Sequence, residues 1–146
     1  MAKYKAGIYG LGYVGGEYLK SLNSNPLSEV TTVVGRDKDK LKERIKKFNI
    51  ECEVLTDYNQ LLEKKDIDIV VLSGPHFMHV KEAIKAANAG KHIICEKPIG
   101  MNFEEAVAVT KAVKQAKVKF QHTLVCHWYP NVLNLKKLVK DGHMGK

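Results

Sequence analysis

Short apolar runs alternate with amphipathic stretches along the whole chain. Runs that predict β-strands cover residues 5–9, 30–34, 51–55, 67–73, 92–95 and 119–125. Between them, apolar residues recur at helical spacing in residues 12–23, 38–48, 59–64, 77–89, 103–116 and 131–141. The largely apolar run at 67–73 is typical of a strand covered on both faces. This alternation predicts an α/β fold with a parallel sheet and helices on both faces.

Residues that end or begin helices support these boundaries. The Asn-Ser-Asn-Pro segment at 23–26 ends the first helix and turns the chain. Gly90 stands where a glycine just past a helix C-terminus is favoured. Asn102 precedes Glu104 and Glu105, so it can cap a helix whose first turn carries two acids. The predicted elements therefore have physical end signals as well as periodicity.

A glycine-rich turn follows the first predicted strand: Gly10-Leu11-Gly12-Tyr13-Val14-Gly15. Gly10 permits a tight turn, Gly12 lets backbone amides approach a pyrophosphate, and Gly15 lets the helix pack closely on the sheet. The helix N-terminus adds free N–H groups and a positive dipole. The motif favours a dinucleotide-binding, Rossmann-type doubly wound sheet of about six strands in the order 3-2-1-4-5-6. The alternative is a tight turn that binds nothing.

In that topology, ligands bind where the strands end at their carboxyl edge. The rule brings the segments 10–15, 35–37, 73–79, 96–98 and 125–127 to one edge of the sheet. These segments supply the candidate contacts.

The turn after the second strand, Gly35-Arg36-Asp37, bears on which dinucleotide binds. An acid normally holds the ribose hydroxyls of NAD about twenty residues after the glycine motif, and Gly35 occupies that position. The Arg36 guanidinium can instead bind a 2′-phosphate or stack on adenine. We therefore expect NADP. NAD stays the alternative, because a small shift of the turn would bring Asp37 to the ribose.

A charged pair followed by proline, Glu96-Lys97-Pro98, ends the apolar run Ile93-Ile94-Cys95. An ammonium at the end of a buried strand can hydrogen-bond a substrate oxygen and stabilise charge that develops there. Lys97 is the candidate catalytic residue. The alternative is a surface turn in which Glu96 and Lys97 form an ion pair.

Composition adds bounds on the class of protein. The chain has 146 residues, 45% hydrophobic and 27% charged, which is ordinary for one globular domain with its own core. The three cysteines lack C-x-x-C spacing and no metal-ligand cluster is seen, so we expect no bound metal. The sequence shows no leader-like segment and no apolar run long enough to span a membrane. We therefore expect a cytoplasmic protein that does not bind a membrane. The net charge of +8 allows a nucleic-acid partner, but no aromatic residues interleave with the bases, so we expect none.

Two further segments carry a resemblance to a known family. They are Gly74-Pro75-His76-Phe77-Met78-His79 and the run 83–99, which contains Ala89-Gly90-Lys91-His92 and Glu96-Lys97-Pro98. Thr56-Asp57-Tyr58 and the closing residues 141–146 fit the same pattern. Over essentially its whole length the chain resembles the nucleotide-binding domain of the Gfo/Idh/MocA family, the relatives of glucose–fructose oxidoreductase and inositol dehydrogenase.

The resemblance implies an NAD(P)-dependent oxidoreductase that transfers hydride between nicotinamide and a sugar, polyol or related alcohol or carbonyl. It implies that the glycines bind the pyrophosphate and that Lys97 is the active-site lysine. Ser73, Pro75 and His79 are implied to line the nicotinamide side, and Glu96 and Lys97 to lie against the cofactor and the substrate. Gly74, His76 and Pro98 are further candidate cofactor contacts. A non-catalytic NADP(H) sensor or partner subunit is the alternative.

Family members continue into a second α/β domain, which carries most substrate contacts and which residues 1–146 do not include. We expect this chain alone to show little turnover. Without that domain, an apolar patch should be exposed and should favour homo-oligomers. Its predicted members are Ile99, Leu124, Val125, Trp128 and Leu133.

Overall fold

The computed structural model describes residues 3–145, so Met1, Ala2 and Lys146 lie outside the description. Over that range the chain forms a parallel sheet whose strands are β1 (Tyr4–Tyr9), β2 (Ser28–Val34), β3 (Glu53–Leu55), β4 (Ile69–Leu72), β5 (His92–Glu96) and β6 (Phe120–Thr123). The described part of the sheet has six strands in the order β3-β2-β1-β4-β5-β6. The predicted α/β class and strand order are confirmed.

Helices connect the strands in the predicted alternation. They are α1 (Tyr13–Ser24), α2 (Lys38–Lys46), α3 (Tyr58–Glu63), α4 (His79–Asn88), α5 (Phe103–Ala116) and α6 (Pro130–Lys140). Two 3-10 turns, His76–Met78 and Val125–Trp128, precede α4 and α6. Among residues 3–145, no helix has both the length and the apolar character that a bilayer-crossing segment needs.

The core lies in two layers, one on each face of the sheet. On one face, Leu19, Leu41 and Ile45 of helices α1 and α2 pack against β1 and β2. On the other face, residues of α3, α4 and α5 pack against Val70, Leu72 and their neighbours. Strand β4 contributes Val71 to the first layer and Val70 to the second, so it is covered on both faces, as its apolar sequence predicts.

The helix ends follow the predicted signals. The Asn102 side chain accepts a hydrogen bond from the backbone N–H of Glu105, and it caps α5. Gly90 adopts φ +72° just past the end of α4, a conformation that favours glycine. Several strand boundaries differ from the prediction by one or two residues; β2, for example, begins at Ser28 rather than at residue 30, and β3 begins at Glu53 rather than at residue 51. Strand β4 begins at Ile69 rather than at residue 67, and β6 ends at Thr123, so that Val125 lies in a 3-10 turn.

Candidate functional site

A groove of about 860 Å³ runs along the carboxyl ends of β1, β2 and β4. Nine of the residues predicted for the cofactor site line it: Gly10, Leu11, Gly12, Gly35, Arg36, Asp37, Ser73, Gly74 and Pro75. Phe77 and Met78, from the predicted segment 73–79, line it too. Residues outside the predicted segments also line it: Tyr9, Lys40, Leu41, Glu43, Arg44 and Lys47. The topology therefore brings three of the predicted turns into one concave surface.

The glycine-rich turn has the tight geometry that its sequence predicts. Gly10 has φ +92°, and the Ser73 hydroxyl donates a hydrogen bond to the Gly10 carbonyl oxygen at 2.7 Å. A Cβ atom added at Gly15 would overlap the Gly10 carbonyl oxygen, so a larger residue would push α1 off the sheet. A Cβ added at Gly12 would meet no atom within 4 Å. The space above Gly12 is therefore open to a ligand.

Helix α1 presents its N-terminus to this open space. Gly12 is its N-cap, and in the described chain no side chain caps the helix. Free N–H groups at a helix N-terminus, together with the helix dipole, attract anions. Tyr13 and Val14 were also predicted as contacts, but their side chains are exposed and do not line the groove.

Helix α2 lines the groove with basic side chains. Lys40, Arg44 and Lys47 lie at helical spacing, and Arg36 precedes the helix. The Arg44 guanidinium donates to the Leu11 carbonyl oxygen, which ties α2 to the glycine-rich turn. Lys47 forms an ion pair with Glu43 at 3.0 Å. This side of the groove is therefore positively charged overall.

Asp37, the acid that would favour NAD, already has a partner in Lys40. Its side chain accepts a hydrogen bond from the Lys40 backbone N–H at 3.1 Å and caps α2, and it pairs with Lys40 Nζ at 3.4 Å. The backbone hydrogen bond from Lys40 is the main cause that lowers the pKa of Asp37. Within residues 3–145, Arg36 forms no ion pair. Arg36 is therefore the more available of the two side chains.

The turn after β5 holds the candidate lysine. The Lys97–Pro98 peptide bond is cis, and the Lys97 side chain is exposed. The Glu96 carboxylate accepts a hydrogen bond from the Tyr18 hydroxyl at 2.8 Å and another from the Lys97 backbone N–H at 3.2 Å. No ion pair between Glu96 and Lys97 is found in the described chain, so the surface-pair alternative does not describe this turn.

The turns after β4 and β5 are neighbours, because Leu72 and Cys95 are paired in the parallel register. Glu96, Lys97 and Pro98 do not line the groove itself but lie beyond its β4 side. His79 is buried, with 2% exposure, and its Nδ1 and Nε2 atoms contact the carbonyl oxygens of Pro98 and Gly74. It lies behind the site surface, whereas the resemblance implied that it lines the nicotinamide side. His76 is exposed and does not line the groove.

The residues that sequence reasoning missed fall into two kinds. Arg44 and Lys40 carried a readable signal, since they recur four residues apart on the helix face that contains Lys47. Tyr9 and Tyr18 carried no sequence signal for a role near the site, because an aromatic residue inside a strand or helix usually belongs to the core. Among residues 3–145, no group of three potential ligands that could hold a metal ion is present.

Comparison with known proteins identifies relatives of the chain. The family model GFO_IDH_MocA, described as an oxidoreductase family with an NAD-binding Rossmann fold, matches residues 4–124. The chain is 31% identical over 140 residues to 2,7-anhydro-N-acetylneuraminate hydratase of Escherichia coli (strain K12), covering 96% of this chain and 37% of that protein. It is 29% identical to inositol 2-dehydrogenase of Salmonella typhimurium (strain LT2), covering 97% of this chain and 43% of that protein.

Solved structures show the same fold. Scyllo-inositol dehydrogenase from Lactobacillus casei, with bound NAD(H) and scyllo-inositol, superposes with a TM-score of 0.88 at 27% identity, covering 99% of this chain and 43% of that one. The 3-ketoreductase KijD10 from Actinomadura kijaniata, in complex with TDP-benzene and NADP, superposes with a TM-score of 0.89 at 24% identity over 99% of this chain and 45% of that one. The chain therefore spans about two-fifths of the length of these relatives.

Proposed function

The chain belongs to the Gfo/Idh/MocA oxidoreductase family, and from that premise we propose that it is the nucleotide-binding domain of an NAD(P)-dependent oxidoreductase. The observation that carries the proposal is the uncapped N-terminus of α1 beneath the open space at Gly12, beside the basic face of α2. Free amides and cations together suit a bound pyrophosphate. The residues present fit a dinucleotide.

We propose NADP as the preferred cofactor. Arg36 lines the groove without an acidic partner, whereas the Asp37 carboxylate is held by Lys40. A 2′-phosphate is a dianion that a guanidinium can bind through two hydrogen bonds, and an acid in the same place would repel it. Arg44 and Lys40 add positive charge to the same side of the groove. NAD would instead use the Asp37 carboxylate, which also lines the groove, to accept hydrogen bonds from the ribose hydroxyls.

Lys97 is the proposed catalytic residue. When bound, the nicotinamide ring gives or accepts the hydride at C4. The exposed Lys97 ammonium, free of an acidic partner in the described chain, would donate a hydrogen bond to the oxygen of the alcohol or carbonyl substrate. Sugars, polyols and related compounds are the proposed substrate class, by extension from the inositol dehydrogenases among the relatives.

A non-catalytic NADP(H) sensor or partner subunit is the second candidate function. It uses the same groove but needs no reactive lysine. Lys97→Ala separates the two, because it should abolish turnover of a complete enzyme while a sensor would keep its cofactor response. The family premise favours the enzyme.

The exposed apolar surface suggests an association partner. Its members include Leu124, Val125, Trp128, Leu133 and Leu138, which are all more than 40% exposed. Ile99 was predicted to belong to it but is half-buried against the core, which corrects that prediction. We propose that this surface is covered in the working protein, by a second domain or by another copy of the chain. Light scattering over a range of concentrations would test self-association.

The decisive experiment is a titration with NADPH and then NADH, following energy transfer from Trp128, the single tryptophan of the chain, to the reduced nicotinamide. Isothermal calorimetry supplies the same affinities without depending on distance. Tighter NADPH binding is the expected result. Tighter NADH binding would keep the site but transfer the ribose contact to Asp37. Absence of binding to either by both methods would contradict the proposed function.

A further inference from the structure

Tyr18 links the glycine-rich helix to the lysine turn. It lies on α1, half-buried against the core layer that contains Leu19. Its hydroxyl oxygen is 2.8 Å from Glu96 Oε1 and 2.7 Å from Thr123 Oγ1. Glu96 and Thr123 are paired residues at the ends of β5 and β6. One hydroxyl therefore joins three elements that are far apart in sequence.

The direction of these hydrogen bonds follows from the chemistry of the groups. Burial, and then the hydrogen bond to the Glu96 carboxylate, raise the pKa of Tyr18 well above its usual value, against the lowering effect of Thr123. The phenol therefore keeps its proton, and it donates that proton to the carboxylate, which can only accept. The Thr123 hydroxyl is also 3.1 Å from the Cys95 carbonyl oxygen, so it too is fixed in place.

Both oxygens of Glu96 are thereby occupied by neutral donors. Oε1 accepts from Tyr18, and Oε2 accepts from the backbone N–H of Lys97. The carboxylate is next to Lys97 in sequence, yet no ion pair joins it to the Lys97 ammonium in the part of the chain that the structure describes. A carboxylate that loses one of these donors is destabilised until another donor replaces it, and the Lys97 ammonium belongs to the residue next to it in sequence.

We propose that Tyr18 is a positioning residue, whose hydroxyl holds the Glu96 carboxylate away from the Lys97 ammonium. Lys97 then stays unpaired and able to donate to an incoming oxygen. The functional value of this arrangement rests on the proposed oxidoreductase role of Lys97, but the arrangement itself does not need a bound cofactor.

The test measures the amine of Lys97 directly. The chain without ligand is treated with formaldehyde and cyanoborohydride at limiting dose, and peptide mass spectrometry gives the rate of methylation of each lysine. Lys97 is compared with the exposed Lys20 and Lys117 in the same sample. In Tyr18→Phe, which keeps the ring but loses the hydroxyl, we expect Lys97 to react about two- to five-fold more slowly, the factor a surface ion pair supplies. The control Tyr4→Phe should react like the wild type.

Rescue distinguishes positioning from general loss of structure. Glu96→Gln removes the charge that would capture the ammonium, so the double variant Tyr18→Phe/Glu96→Gln should recover the rate of Glu96→Gln alone. Thr123→Val, a second variant of similar shape, removes the other oxygen near the Tyr18 hydroxyl but keeps the Tyr18–Glu96 hydrogen bond, so Lys97 should react at a rate close to that of the wild type. An unchanged Lys97 rate in Tyr18→Phe, or a rise shared by all lysines, would overturn the proposal.

A separate measurement isolates the proposed function. NADPH added to the wild type should shield Lys97 from methylation if the lysine lies beside the nicotinamide. Slowing in Tyr18→Phe without shielding by NADPH would keep the positioning role and remove the cofactor contact. Shielding by NADPH without slowing in Tyr18→Phe would keep the cofactor contact of Lys97 and remove the positioning role of Tyr18.

Discussion

The Nδ1 atom of His79 lies 2.8 Å from the carbonyl oxygen of Pro98, and both residues belong to the same buried junction. The other ring nitrogen is 3.1 Å from the carbonyl oxygen of Gly74. One imidazole therefore contacts both the turn after β4 and the turn after β5. This contact fixes the position of the Lys97 turn relative to the groove. His79 is buried and does not line the groove itself.

Replacing His79 by alanine should therefore lower the stability of the fold more than replacing an exposed histidine does. The substitution opens a cavity and removes the imidazole N–H, which leaves a carbonyl oxygen without its donor, so we expect the free energy of unfolding to fall by about 2–4 kcal/mol. Urea unfolding followed by circular dichroism measures it, and the exposed His143→Ala is the matched control. A loss as small as that of the control would contradict the role given to His79.

Two glycines of one motif should differ in how much stability they lose when replaced by alanine. In Gly15→Ala the new methyl meets the Gly10 carbonyl oxygen and the Ser73 hydroxyl, so we expect a loss of about 1–3 kcal/mol in stability. In Gly12→Ala the methyl meets nothing of the protein, so stability should change by less than about 1 kcal/mol.

The same Gly12→Ala variant should lose cofactor, because its methyl occupies the space assigned to the pyrophosphate. We expect the dissociation constant for NADPH to rise about tenfold or more, measured by calorimetry on protein shown to be folded. Unchanged affinity would place the pyrophosphate elsewhere.

Arg36→Ala should change the choice between cofactors. Loss of a charge-assisted hydrogen-bond pair to the 2′-phosphate should weaken NADPH binding about tenfold, whereas NADH affinity should stay within about twofold. Lys42→Ala, on the neighbouring helix α2 but outside the groove, is the control for net charge. Equal weakening of both cofactors would assign Arg36 to adenine stacking instead.

Glu82 should make stability depend on pH. Its side chain is buried, with 3% exposure, and one carboxylate oxygen has no hydrogen-bond partner among the described residues. Burial is the main cause that raises the pKa of Glu82, and the cation of Lys85 opposes it. A raised folded-state pKa means that the folded protein holds this proton more tightly than the unfolded chain. The corresponding stability is present at low pH and is lost as pH rises through the folded-state pKa.

Glu82→Gln removes this charge, so at pH 7 we expect it to stabilise the fold by about 1 kcal/mol, with the advantage shrinking as the pH is lowered toward 4. Urea unfolding at several pH values measures the difference. The exposed Glu63→Gln should show no comparable trend. An advantage of Glu82→Gln that does not change with pH would point to packing rather than ionisation.

The sequence predicts the fold well because its signals are local. Periodicity, the glycine-rich turn and the caps at Asn102 and Gly90 each act within a few residues. The errors are local too. Strand β6 ends at Thr123 because Leu124 leaves the extended conformation and starts a 3-10 turn, although residues 124 and 125 are apolar.

The site is less predictable because its contacts are long-range. Tyr18 and Glu96 are 78 positions apart, and no spacing rule joins a helix tyrosine to a strand-end carboxylate. The burial of His79 between two carbonyl oxygens likewise depends on how two turns meet. The resemblance identified the turns, but only the structure shows which side chains face the groove and which lie behind it.

Helix α6 differs from the other helices in having no buried residue. An isolated helix of 11 residues is barely stable in water, so α6 should open without the sheet opening. Its amides should exchange with deuterium in seconds at low protein concentration, while those of β1 and β4 exchange only on global unfolding. Slower amide exchange in α6 at high protein concentration would show that another copy of the chain covers this helix. The cooperative folding unit then ends near Thr123, and the stability of α6 depends on what covers it rather than on the sheet.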